Sequence, residues 1–67
     1  MIYTVSYVVL GGEHPGAIAN TDKPPKVGDR VQLGRQEFKI VDVMELAPPR
    51  GGIAFLHATC ELIRSEN

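Results

Sequence analysis

The stretch "KVGDRVQLGRQEFKIVDV", residues 26–43, limits the fold more than any other part of the chain. Val27, Val31 and Leu33 face one way and Arg30 and Gln32 the other. Gly34 supplies a tight turn, and Phe38 and Ile40 resume the buried side. Successive side chains of a strand point to opposite faces, so this is a hairpin with one buried face. The alternation then changes phase: Phe38 and Ile40 are even, Val41 and Val43 odd, and Met44 and Leu46 even again. A strand can do this only through an inserted bulge residue or a curl that buries both faces. Either route predicts strong sheet curvature, as in a small barrel.

The flanking segments extend the pattern. In "IYTVSYVVL", residues 2–10, Tyr3, Val5, Tyr7 and Val9 are separated by polar Thr4 and Ser6, which predicts a strand. Its last residues, Val8, Val9 and Leu10, run together, so this end is expected to be covered on both faces. "GGEHPGAIANTDKPP" is rich in turn formers and reads as a long loop. Inside it "GAIAN" could pair briefly, with Ile18 tacking the loop to the core. "APPRGG", residues 47–52, is expected to break the following strand, because neither proline can donate a ladder hydrogen bond. "IAFLHATCELIR" reads as a strand at period two, with Ala54, Leu56, Ala58, Cys60 and Leu62 on one face. Read as a helix it places Ile53, Leu56, Cys60 and Ile63 on one stripe. The fold expected is all-β: one domain over 1–67, a small curled, mostly antiparallel sheet or barrel of four to five strands. The alternative is α+β with a helix at 53–64.

Size and composition narrow the function. A chain of 67 residues buries only about 60% of the surface its unfolded form exposes, so a second chain is a natural source of stability. Cys60 is the only cysteine, which excludes an internal disulfide and a four-cysteine zinc site. A hydrophobic fraction of 43% with a net charge of −1 fits an ordinary folded domain rather than a disordered tail. No apolar run approaches the ~20 residues of a membrane-spanning helix, and the N-terminus lacks the basic region of a signal peptide. A cytoplasmic chain with no membrane contact is expected.

"VGDRVQLGRQEFKIVDV" resembles the central hairpin of Src-homology-three-type small β-barrels, in which Gly-Asp precedes a short strand, a tight turn and a second alternating strand. The likeness covers residues 26–43 alone. It implies a small barrel; members of that broad class bind RNA or ribosomal protein, bind proline-rich peptides or serve as accessory subunits. The peptide-binding type is disfavoured, since the chain has no Trp and its aromatics are Tyr3, Tyr7, Phe38 and Phe55.

Residues 23–39 hold Lys23, Lys26, Arg30, Arg35 and Lys39 against Asp29 and Glu37, a local charge of +3, which leaves −4 elsewhere. Outward-facing Arg30 and Lys39 could contact phosphates, and Phe55 is an exposed candidate for stacking on a base. A candidate binding surface is therefore Arg30, Arg35, Lys39, Arg50 and Phe55. Outward charges on a hairpin also keep sheet edges apart, which needs no ligand. His14, His57 and Cys60 are the candidate metal or nucleophile set. On a strand, however, His57 and Cys60 point to opposite faces, and Cys60 reads as a small buried hydrophobe. No GxGxxG or GKS/T motif and no paired acid–base set is present, so no cofactor, metal or catalytic residue is expected. The function expected is a non-enzymatic interaction or accessory module that self-associates through an edge strand. A nucleic-acid- or ribosome-associated small barrel using the basic hairpin 23–39 is the alternative.

Overall fold

The computed structural model describes residues 1–11 and 14–65. Gly12 and Glu13, part of the expected loop, lie outside the described residues, as do Glu66 and Asn67. Five strands form one curled half-barrel sheet: β1 (Ile2–Val9), β2 (Ala17–Thr21), β3 (Arg30–Leu33), β4 (Gln36–Arg50) and β5 (Ile53–Ser65). Their order across the sheet is β2-β1-β5-β4-β3. The all-β expectation holds, and the last segment is strand rather than helix. One pairing differs in sense from an antiparallel sheet. β1 runs parallel to β5, from Ile2 beside Ile53 to Val9 beside Cys60, while the other three pairings are antiparallel. Parallel neighbours need a long connection, and here β2, β3 and β4 together supply it.

The centre of the sheet explains its curl. β5 turns Ala54, Leu56, Ala58 and Cys60 inward, all buried, and three of the four are small. β1 sets Tyr3, Val5, Tyr7 and Val9 beside them, and β4 sets Phe38, Ile40 and Val43. Small side chains on the middle strand let larger ones from both flanks converge over it, which a flat sheet would not allow. Phe38, Val5 and Cys60 are the largest fully buried side chains. No polar side chain is buried among the described residues.

The phase change in β4 is a bulge. Ile40 stands opposite Cys60 and Asp42 opposite Thr59, with a register shift between them, so one extra residue turns Val43 inward in place of an even position. Further shifts fall between Glu45 and Ala47 and between Ala47 and Arg50. The expected break at "APPRGG" is corrected: β4 continues through Pro48 and Pro49, and the chain reverses only at Gly51 and Gly52. β3 pairs only with Gln36–Lys39, so the prolines lie on a free edge where no second ladder asks for their missing N–H groups. Gly51 and Gly52 have φ of 58° and 79°, the left-handed pair that a two-residue hairpin turn demands.

Three burial expectations are corrected. Val8 (41% exposed) and Leu10 (52%) end β1 with an uncovered face. Ile18 (76%) does not tack the loop to the core, because "AIANT" is itself an edge strand and Ile18 sits on its outer face opposite Ser6. Val27 is also exposed, in the turn ahead of β3. No helix among the described residues is long and apolar enough to cross a membrane.

Candidate binding surfaces

Register places the basic residues. Arg30 stands opposite Lys39, and Lys39 opposite Glu61 on its other side, so the three form one row across the outer face of β3, β4 and β5. Arg30 also lies 3.8 Å from the Glu37 carboxylate, an exposed pair worth little to stability. Arg35 is in the β3–β4 turn beside this row. Arg50 lies eleven positions beyond Lys39 on β4, roughly 30 Å away at strand rise even with the bulges, in a molecule whose longest dimension is 41 Å. Phe55 is near that far end, between Thr4 and Ala47. The five candidate residues therefore split into two groups, Arg30, Arg35 and Lys39 at one end and Arg50 and Phe55 at the other.

The metal or nucleophile set is likewise dispersed. His57 faces outward between Ser6 and Met44, whereas Cys60 is fully buried on the inner face. Among the described residues no group of three or more His, Cys, Asp or Glu could hold a metal ion. Burial raises the Cys60 thiol above its ordinary 9.0, and burial, then the charges of Cys60 and Asp29, raises the Tyr7 phenol above 10.0. Both groups are neutral when protonated, and both bind the proton more tightly folded than unfolded. The stability they contribute is therefore complete below the unfolded values and drains as pH rises through the folded ones. The urea midpoint should stay level up to about pH 9, then fall, with the loss steepening beyond 10. Tyr7→Phe should remove the steeper part. A midpoint unchanged across that interval would contradict burial of both groups.

Two features stand out that residue-type reasoning missed. The first is an uncharged area of the outer face, centred on β1 and the first half of β5. Ile2 pairs with Ile53, Thr4 with Phe55, Ser6 with His57 and Val8 with Thr59; Ile18 and Asn20 of β2 and Met44 and Ala47 of β4 continue these rows. Ile2, Val8, Ile18, Met44, Ile53 and Phe55 are all exposed, and these rows meet charge only where Asp42 and Arg50 bound them on β4. The signal lay in the sequence, since the even positions of 2–8 and the odd positions of 53–59 carry no charge.

The second is a cleft of about 520 Å³ at the Val9 end of β1, lined chiefly by Val9, Leu10, His14, Pro15, Phe38 and Leu62. His14 is held there from two sides. Its Nδ1 accepts a 2.9 Å hydrogen bond from the Gly16 N–H, and its ring meets the Phe38 ring edge to face, centroids 5.2 Å apart. Gly16 has φ of 78°, and a Cβ there would sit 2.3 Å from the Tyr7 carbonyl oxygen, so only glycine fits.

No protein-family model, curated protein or solved structure matches this chain. What the geometry defines is a class: a small all-β half-barrel with an uncharged area on its outer face and a mostly apolar cleft at one end.

Proposed function

We infer that this chain is a non-enzymatic interaction module whose partner is a second copy of itself, joined edge to edge through β2. A comparison of the free edges carries this reading. β3 is four residues long and begins at Arg30. The free edge of β4 has three register shifts, the acids Asp42 and Glu45, and two prolines. Short length, charge, bulges and proline are the devices that keep sheet edges from pairing with other chains. β2 shares only the short length. "AIANT" has no charge and no proline, and it pairs with β1 without a register shift.

An antiparallel β2–β2 pairing about a two-fold axis at Ala19 sets Ala17 opposite Thr21 and Ile18 opposite Asn20. No charges oppose one another, and the uncharged areas of the two outer faces become continuous, since Ile18 and Asn20 belong to both the edge and the face. The accessible surface of 4773 Å² also exceeds by about 600 Å² that of a compact monomer of 7.3 kDa. A standard interface buries about 800 Å² per partner. Nucleic acid is the weaker reading, since Glu37 and Glu61 flank the two row cations, Arg30 and Lys39, and Arg50 stands far from them. A reducing compartment such as the cytoplasm suits the buried free thiol of Cys60.

Ala19→Lys tests the inference, because it places a lysine directly opposite its own copy and leaves the β1 pairing intact. Sedimentation equilibrium should show a dimer for the parent chain and a monomer for the variant, with the same far-UV circular dichroism. A parent chain that stays monomeric at millimolar concentration would refute self-association. A variant dimer as tight as the parent's would refute the β2 edge as its route.

A further inference from the structure

We propose that the cleft formed by Val9, Leu10, His14, Pro15, Phe38 and Leu62 binds a small molecule with an apolar body and one carbonyl oxygen, which His14 Nε2–H recognises. No residue of β2 lines the site, and the proposal does not depend on self-association.

Three observations support it. The volume, about 520 Å³, falls within the roughly 300–1,000 Å³ of small-molecule sites. The walls are mostly apolar, with Gln36 and His14 as the polar side chains among them, and Leu10 and Leu62 are 52% and 48% exposed, which is apolar area still open to water. The third is the orientation of His14. Accepting from the Gly16 N–H requires Nδ1 to be unprotonated, so the proton of the neutral ring is on Nε2. The bond to Gly16 is made at Nδ1, which leaves Nε2–H as the donor of the ring. The glycine turn and the Phe38 contact fix the ring before any ligand arrives, which limits the ordering cost of binding. A mostly apolar cleft in which His14 presents an oriented donor suits a ligand with an acceptor on an apolar body. A neutral N–H selects a carbonyl oxygen over a hydrocarbon and makes no demand for a charged ligand.

The probes are acetophenone and ethylbenzene, similar in shape and different in the acceptor. In ¹H–¹⁵N spectra of the full chain, acetophenone should produce saturable shifts confined to residues around Val9, Leu10, His14, Phe38 and Leu62. Ethylbenzene should bind several-fold more weakly, by about the worth of one neutral hydrogen bond. Leu62→Trp fills the cleft from a half-exposed position and should abolish the shifts while the rest of the spectrum stays dispersed and superimposable. Shifts that never saturate, or that survive Leu62→Trp, would overturn the site. Equal affinity for the two probes would overturn recognition by His14.

Discussion

Gly16→Ala is expected to destabilise the fold by about 2–5 kcal/mol. The left-handed backbone at φ 78° costs a side-chain-bearing residue about 1–2 kcal/mol. The added methyl carbon would also stand 2.3 Å from the Tyr7 carbonyl oxygen, which forces the segment ahead of β2 away from β1. Displacements of that kind in packed surroundings typically cost a further 1–3 kcal/mol. Gly34→Ala is the matched comparison, with φ of 66° and nothing within 4 Å of the added carbon. It should cost only the conformational part. Urea unfolding followed by circular dichroism measures both. Equal losses for the two variants would show that the chain at Gly16 does not lie against Tyr7. A chain of this length has roughly 3–10 kcal/mol of stability in all, so Gly16→Ala should leave a substantial unfolded fraction at ambient temperature. The same turn orients His14, which ties the shape of the cleft to a backbone constraint.

Phe38→Ala is expected to cost about 3–5 kcal/mol, the range for emptying a buried phenylalanine site. Phe38 is 1% exposed and packs against the small inward residues of β5, which cannot extend to refill the space. Phe55→Ala makes the same chemical change at a side chain that is 45% exposed on the outer face. It should move the denaturation midpoint by less than about 1 kcal/mol, as a surface substitution. Thermal or urea denaturation of both variants would contradict the assignment of faces if the losses were similar. With Phe38 gone, the edge contact to the His14 ring disappears too, so any of this variant that stays folded should lose the cleft's response to acetophenone.

Much of the fold was legible because period two is a local property. Tyr3, Val5 and Tyr7 against Thr4 and Ser6 name the buried face of β1 without reference to any other strand. The phase change after Ile40 likewise marked the bulge in β4, since a strand has few other ways to switch faces. The candidate site was less legible. Arg30 and Lys39 were expected on one surface and are cross-strand partners, yet Arg50 and Phe55 are carried to the opposite end by the length of β4. Reading Pro48 and Pro49 as strand breakers hid that length, because proline is excluded only where its missing N–H would meet a second ladder, and here that edge is free.

Alternation and residue size alone identify β1, the hairpin at Gly34, the curl and the burial of Phe38, Ile40 and Cys60, whereas β2 reads as loop, Pro48 and Pro49 hide the length of β4, and the last segment leaves a helix open. The tertiary structure decided the parallel pairing of β1 with β5, and through it the joining of two separate uncharged rows into one outer face. It also left "AIANT" as the least protected edge and placed His14 against Phe38. These are non-local contacts. Their partners are set by which strands can close around the small side chains of β5 at acceptable entropy, and no short window of sequence encodes that.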